Sequence, residues 1–149
     1  LGMLGECGGD GTAESAEPFV SVWRTTTDDE SITLPAATSL ASIDPPPPFN
    51  YDFQVDWGDG SPPSTVTRFD DPDRSHTYAA AGDYTVTVTG LMESISFRDD
   101  ETWDTKPGAD KLIAIPNLGA VGWKSFENAF QSCRNLGLVT GGDTSSVRT

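Results

Sequence analysis

The sequence has 149 residues and carries 23 Asp and Glu against 9 Lys and Arg, for a formal net charge of −14. A charge this negative opposes binding to nucleic acid and to anionic lipid surfaces, and nucleic acid is excluded as a partner. Hydrophobic residues make up 36% of the chain, and the abundance of Gly, Pro, Ser, Thr and Asp indicates short strands joined by turns.

The acidic residues lie almost entirely before Lys111, and only Glu127 and Asp143 follow it. This change of composition predicts two structural units that meet near that point. The first residue is Leu1 and not an initiator Met, which suggests a piece of a longer protein. The chain has no run of about 18 apolar residues, so no transmembrane helix is predicted, and its two cysteines do not indicate a disulfide framework.

Residues 1–17 combine a short apolar stretch, Cys7 and a glycine-rich run. Leu4 and Gly5 resemble the end of a bacterial lipoprotein signal peptide, in which lipid is attached to the cysteine that becomes the mature N-terminus. Glu6 departs from that pattern, because a small residue is usual at its position. We expect a flexible tether with Cys7 as the candidate lipid-attachment residue; the alternative is a plain flexible end with an incidental thiol.

Two β-rich runs follow, Phe19–Thr25 and Ser31–Pro35. The four prolines at 45–48 then interrupt the pattern, and because proline has no amide donor we expect a stiff loop or an edge there. Residues Tyr51–Trp57 alternate apolar and polar side chains with a period of two, which predicts a strand with one buried face. Gly58 and Gly60 permit a chain reversal, and Thr65–Phe69 is the predicted returning strand.

The segment from Ser75 to Gly90 contains a second alternating run, Tyr84–Val88, with threonines on its solvated face. Tyr78 lies shortly before this strand, and we expect it to pack inward with its hydroxyl bonded to the backbone. Glu93–Phe97 continues the β pattern. The spacing of strands and turns predicts an antiparallel, hairpin-built β domain.

Three motifs in this order carry a resemblance: Trp57–Ser61, then His76–Tyr78, then Gly82–Val88. Together they resemble the signature of PKD (polycystic kidney disease) domains. That resemblance covers about residues 51–90 and implies a small immunoglobulin-like antiparallel β-sandwich that serves as an extracellular spacer or binding module. Residues 18–50 fit the family pattern less well, since the proline run departs from the usual compact form.

Candidate chemical groups in this part of the chain are few. His76 is the one histidine, and because no nucleophile or carboxylate partner for it is recognisable, a structural role is predicted and no enzyme activity is expected. Asp70, Asp71 and Asp73 on one turn could offer oxygen ligands to Ca²⁺, but they lack the spacing of a twelve-residue calcium loop, and solvated turn residues are the alternative. No other cofactor is predicted.

The C-terminal part changes period. Lys111–Ile115 reads as a short strand, and Phe126, Ala129, Phe130 and Cys133 fall on one stripe of a predicted amphipathic helix. Cys133 on that stripe is interpreted as a small buried hydrophobe. A strand followed by a short helix cannot bury its own face and is stable when such units stack.

The run from Trp123 to Leu136 resembles the repeat of BspA-like leucine-rich bacterial surface proteins, and residues from Asp143 resemble the opening of the next repeat. We therefore expect three parts: a tether at 1–17, a PKD-like sandwich at 18–104, and a first, truncated leucine-rich-like repeat at 105–149. The fold class is mainly β, an antiparallel sandwich followed by a strand-helix repeat unit.

The two resemblances imply a non-catalytic bacterial surface protein, located at the cell surface or outside the cell, in which a spacer presents a repeat module for adhesion or protein–protein contact. Its partners would be an extracellular protein or a glycan, with Cys7 as a membrane tether. The alternative is an accessory polysaccharide- or protein-binding module of a secreted hydrolase, in which an aromatic residue such as Trp103 would stack on the substrate.

Overall fold

A computed structural model describes residues 17–38, 48–98, 104–126 and 128–142. Over these ranges the chain is mainly β, as the sequence predicts. The predicted lipid-attachment residue Cys7, most of the proline run, Trp103 and the segment from Asp143 onward lie outside the described residues.

Eight strands occur in the described part of the chain, joined by turns and by two short 3₁₀ turns at Pro72–Arg74 and Ala109–Lys111. The strands are β1 (Phe19–Thr25), β2 (Glu30–Thr33), β3 (Tyr51–Asp56), β4 (Ser64–Val66), β5 (Ser75–Tyr78), β6 (Gly82–Met92), β7 (Leu112–Asn117) and β8 (Leu138–Val139).

Six of these strands form one sheet in the order β4-β3-β6-β1-β7-β8, and β2 pairs with β5 in a separate two-stranded ribbon. The strands β3 and β6 are antiparallel neighbours, with Val55 opposite Val88. This pairing places the two alternating runs in one antiparallel sheet, in agreement with the predicted antiparallel β domain. All pairs are antiparallel except β7 with β8, which run parallel.

The core is built from the inward faces of both sheets. In β3 the residues Tyr51, Phe53 and Val55 are buried while the polar residues between them are exposed, as the period-two pattern predicts. Ile32 of the ribbon belongs to the same apolar cluster and is also buried. Burial of each such side chain contributes about 1.5–3 kcal/mol, so the cluster holds the ribbon against the larger sheet. The indole N–H of the buried Trp23 donates a hydrogen bond to Ser21 Oγ at 2.8 Å, so the one polar group of this side chain is satisfied.

The prediction of a strand at Glu93–Phe97 is wrong. This segment leaves the sheet after Met92 and runs as a buried loop. Its backbone pairs with other loops instead of a neighbouring strand: the Ser96 N–H donates to the Pro35 carbonyl at 3.0 Å, and the Glu93 carbonyl accepts from Lys124 at 2.7 Å. Because loop partners satisfy its polar groups, the segment can be buried without a strand ladder.

The helix predicted around Phe126–Cys133 is also wrong. The described residues there form consecutive tight turns, in which Ala129 donates to the carbonyl of Phe126 and Cys133 to that of Phe130, both at 3.0 Å. Asn128 and Ser132 have positive φ angles of 56° and 63°, which a right-handed helix does not allow. The stripe still faces the core, since Ala129 is 2% exposed and its apolar neighbours pack against the same cluster.

The large sheet also crosses the predicted boundary between residues 104 and 105. Strand β7 pairs with β1, with Ala114 opposite Val22, and β8 extends the sheet by one more strand. The segment assigned to a separate repeat unit therefore completes the sheet that the first segment begins.

The reversal after β3 depends on Gly58, which has a φ of 82° and lies against β6. A Cβ atom there would stand 2.2 Å from the backbone oxygen of Thr85, whereas Gly60, at a φ of 85°, faces open space. Positive φ costs an alanine about 1–2 kcal/mol at either position. We expect Gly58→Ala to lower the free energy of unfolding by about 3 kcal/mol or more, because β6 must also shift.

Urea unfolding of the two variants checks this, with Gly60→Ala as the matched control. Equal losses of stability in the two variants would contradict a close approach of the turn to β6.

Candidate functional site

The sequence motifs at Trp57–Ser61 and His76–Tyr78 meet at one end of the ribbon. Trp57 and Asp59 follow β3 of the large sheet, His76 and Tyr78 lie in β5 of the ribbon, and Tyr84 lies in β6. We call Trp57, His76, Tyr78 and Tyr84 the aromatic cluster. Since its members come from both sheets, the cluster fastens one sheet to the other.

His76 is held by three contacts. Its ring stacks on Trp57 with a centroid separation of 4.9 Å and an interplanar angle of 10°, and it meets Tyr78 edge-on at 4.8 Å. Its Nε2 lies 2.7 Å from Asp59 Oδ2. The imidazole is thus fixed between aromatic rings with one nitrogen bound to a carboxylate. Asp59 is a carboxylate partner that the sequence analysis did not recognise, and the structural role of His76 stays a prediction.

Asp59 completes this arrangement through the other side of its carboxylate. Oδ1 accepts hydrogen bonds from the backbone N–H of Ser61 at 3.1 Å and from the Ser61 hydroxyl at 2.5 Å. Burial opposes ionisation of the group, but the hydrogen bonds from Ser61 and His76 outweigh burial and lower the pKa of the Asp59 carboxyl to about 2. The carboxylate is charged at neutral pH and acts as an acceptor for the turn and for His76.

Tyr78 is fully buried and donates its hydroxyl to the Trp57 carbonyl at 2.8 Å. The inward packing and backbone hydrogen bond predicted for it are confirmed. Burial raises the pKa of the Tyr78 hydroxyl well above its usual range, so the hydroxyl stays a donor. Its ring stacks on Tyr84 at 3.9 Å. The residue therefore links β3, β5 and β6.

The three aspartates at 70, 71 and 73 are not brought together as calcium ligands. Asp71 accepts hydrogen bonds from the N–H groups of Thr67 and Asp73, each at 3.0 Å, and these bonds lower its pKa. Asp70 instead pairs with Arg68 at 3.3 Å. Within the described ranges, no group of three or more His, Cys, Asp or Glu residues is placed to hold a metal ion. Asp71 caps the 3₁₀ turn at Pro72–Arg74. This is the turn-residue role that the sequence analysis gave as the alternative to calcium binding.

The two C-terminal strands, β7 and β8, pair in parallel over two residues. Ala114 is opposite Leu138 and Ile115 is opposite Val139, so each partner lies 24 residues further along the chain. The connecting segment passes over the core, where Trp123 is 1% exposed. Strand β8 forms an edge of the sheet, and Leu138 and Val139 are 48% and 42% exposed there. Among the described residues, β8 is thus an apolar edge of the sheet.

Cys133 lies in the turns that connect these strands and is a free thiol. Burial raises the pKa of the Cys133 thiol to about 11, so the group is protonated and uncharged at neutral pH. The side chain is partly buried and packs against the core, so the buried position predicted for it is confirmed only in part.

The sequence patterns do not single out Arg74 and Lys106, which line one cavity of the structure. They lie in segments of different pattern and far apart in the chain, and no motif contains both. A local pattern carries no signal for such a pair, because the cavity forms only when the ribbon and the segment before β7 come together.

Comparisons with known proteins return no match to this chain, whether with protein-family models, with curated proteins or with solved structures. In the described part of the chain, no helix has the length and apolar character needed to cross a membrane.

Removal of the Tyr78 hydroxyl tests whether its hydrogen bond to the Trp57 carbonyl helps to hold the two sheets together. We expect Tyr78→Phe to lower the free energy of unfolding by about 1–3 kcal/mol, because the buried Trp57 carbonyl loses its donor. Tyr84→Phe is the matched control: its hydroxyl donates to the Ala80 carbonyl at 2.6 Å in an exposed position, where water can replace it. Chemical denaturation measures both, and a larger loss for Tyr84→Phe would refute the assignment.

The lowered pKa of Asp59 predicts a pH dependence. Because the folded pKa of about 2 lies below the ordinary value of 3.8, the charged group stabilises the fold above about pH 4, and this stabilisation is lost as the pH falls through 2. We expect Asp59→Asn to be less stable than the parent chain at pH 5–7 and the difference to shrink toward pH 2. Urea unfolding across this range measures it, and a difference independent of pH would contradict the prediction.

Proposed function

We propose that this chain is part of a non-catalytic bacterial surface protein, in which a PKD-type, immunoglobulin-like sandwich leads directly into BspA-type leucine-rich repeats. The observation that carries the proposal is the parallel step of 24 residues between β7 and β8. Repeat proteins of this kind stack short units so that each one adds a parallel strand beside the last.

The exposed edge of β8 supports the repeat part of the proposal. An edge strand presents unpaired N–H and C=O groups, and natural proteins usually cover or charge such an edge. Here the edge carries Leu138 and Val139, both more than two-fifths exposed, and no charged side chain. A further unit with the same step would pair the backbone of β8 and place neighbouring side chains beside Leu138 and Val139.

The aromatic cluster supports the sandwich part. The residues that resemble the PKD signature are used to join the ribbon to the large sheet, through the stacking of His76 on Trp57 and the hydrogen bond of Tyr78. A motif used in this way gives a rigid, self-contained spacer. The ring of His76 stacks on Trp57, and its Nε2 is bound to Asp59. These contacts give His76, the residue considered for catalysis in the sequence analysis, a structural role in the cluster.

A rigid spacer that presents stacked repeats suits contact functions, because stacked repeats build long binding surfaces. We propose adhesion or protein–protein contact at the cell surface or outside the cell, with an extracellular protein or a glycan as partner and with lipidated Cys7 as the tether.

Duplication of one unit tests the proposal. A second copy of residues 119–142, inserted directly after Gly142, places a new Leu-Val pair 24 residues beyond β8. We expect the chain with the inserted unit to unfold in a single transition. Its midpoint should lie at a higher denaturant concentration and its free energy of unfolding should depend more steeply on denaturant, because the unit buries the exposed edge. Amide exchange at Leu138 and Val139 should slow.

The matched control carries the same 24 inserted residues in shuffled order, which keeps composition and length but loses the pattern. If the ordered and the shuffled insertions give the same unfolding curves and leave exchange at β8 unchanged, the repeat proposal fails.

A further inference from the structure

The loop Glu93–Phe97 lies beside the segment that connects β7 with β8 and runs in the same direction. We call Glu93–Phe97 the inner strip, and β7, β8 and the described residues between them the C-terminal unit. Ser94 of the strip and Ser125 of the unit form a parallel bridge. A parallel bridge is the contact that neighbouring strands of stacked units make with each other. The strip therefore meets the unit in the way that one repeat meets the next.

Backbone hydrogen bonds flank this bridge on both sides. Before it, the N–H of Met92 donates to the Val121 carbonyl at 2.7 Å. After it, the N–H of Phe97 donates to the Asn128 carbonyl at 3.2 Å. The bond from Lys124 to the Glu93 carbonyl lies between these two. The contact thus extends along the whole strip and is made by backbone groups, which do not depend on the identity of single side chains.

The line of contact is closed to solvent. Ser94 and Ser125 are each 1% exposed, and Ile95 and Phe97 of the strip are fully buried. The Glu93 carboxylate adds a contact between side chains, since its Oε2 lies 3.8 Å from Lys124 Nζ. Release of the unit would expose these backbone groups and apolar side chains together, which is costly.

A second line of contact lies in the large sheet, where β7 of the unit pairs with β1. Trp123 of the unit fills the space between the two lines, and its ring meets that of Phe19 in β1 edge-on at 5.2 Å. The strip is itself held on the side of the ribbon, because the N–H of Ser96 donates to the carbonyl of Pro35, shortly after β2. The sandwich therefore supports the unit from both of its layers.

We propose that the sandwich is the N-terminal cap of the repeat array, with β1 and the inner strip as its two contact lines. A repeat unit cannot bury its own faces, and the first unit of an array needs a cap in place of a preceding repeat. The inner strip supplies that missing neighbour on one layer and β1 supplies it on the other. This inference rests on the proposed function and specifies which part of the sandwich receives the first unit.

A disulfide between the strip and the unit tests the cap. Ser94→Cys and Ser125→Cys are combined in a 149-residue chain that also carries Cys7→Ser and Cys133→Ala. Neighbouring strands lie about 4.8 Å apart, and a disulfide requires Cα atoms about 4.4–6.8 Å apart. We expect the folded chain to form this disulfide on oxidation, with a loss of two thiols by mass spectrometry.

Amide exchange measured by NMR then reports how the unit opens. The N–H of Leu118 donates to the Thr140 carbonyl at 2.8 Å, and the N–H of Thr140 donates to the Ile115 carbonyl at 3.0 Å. Both amides should exchange about tenfold or more slowly in the oxidised than in the reduced form of the same variant, because the disulfide keeps the unit on its cap.

The matched control places the same chemistry inside the sandwich. Ser31→Cys and Thr77→Cys, in the same background, join register partners of the ribbon whose hydroxyl oxygens lie 2.6 Å apart. This disulfide does not join the unit to the sandwich, so it should slow exchange at Leu118 and Thr140 less than the first one does. Absence of the first disulfide in the folded chain, no effect of its oxidation on exchange, or an equal effect of the two disulfides would overturn the proposal.

The chain without substitutions gives a second measurement, which decides the matter if the cysteine variant does not fold. The amides of Met92 and Phe97 donate to the unit, so they should have the same free energy of opening as those of Leu118 and Thr140. Protection of the two strip amides more than about tenfold above that of the unit amides would overturn the cap.

These measurements involve no inserted unit, so their failure can be told apart from that of the repeat duplication. A missing disulfide beside a stabilising duplication refutes the cap alone. A duplication without effect refutes the array on which the cap depends.

Discussion

The hydrogen bond between the Tyr78 hydroxyl and the Trp57 carbonyl is the contact on which the arrangement of the two sheets depends. It joins the last residue of β5 to the residue that follows β3, and the ring of Tyr78 stacks on Tyr84 of β6. Both partners are buried, so neither water nor another side chain can replace the bond without a change in packing. His76 and Asp59 lie around this contact and stiffen the turn that presents the Trp57 carbonyl.

Several carboxylates of this acidic chain stabilise turns by accepting hydrogen bonds from nearby backbone N–H groups. Asp71 caps a 3₁₀ turn, Asp59 holds the turn after β3, and Glu30 accepts hydrogen bonds from the backbone N–H groups of Thr26 and Thr27 while it pairs with Lys111. Carboxylates that accept backbone N–H bonds stabilise the chain in its charged form.

The large sheet changes from antiparallel to parallel pairing between β1 and β8 without a break. Strand β7 serves both arrangements, since it is antiparallel to β1 and parallel to β8. A shared strand fixes the direction and spacing of the parallel step relative to the antiparallel strands. If further units follow the same step, the sheet that begins with β4 becomes the first surface on which they stack, so spacer and repeats form one continuous body.

The sequence by itself determined the strands whose apolar residues alternate, the inward packing of Tyr78 and the turn at Gly58, because each follows from a local pattern or a local backbone requirement. It could not determine the backbone conformation around Ala129. Consecutive tight turns, with positive φ at Asn128 and Ser132, place the same apolar residues against the core as a helix would. Only the tertiary structure decided that Glu93–Phe97 leaves the sheet, that β7 pairs with β1, and that Arg74 and Lys106 share a cavity. These features depend on which distant segments satisfy each backbone group and fill each space, and no local periodicity records that choice.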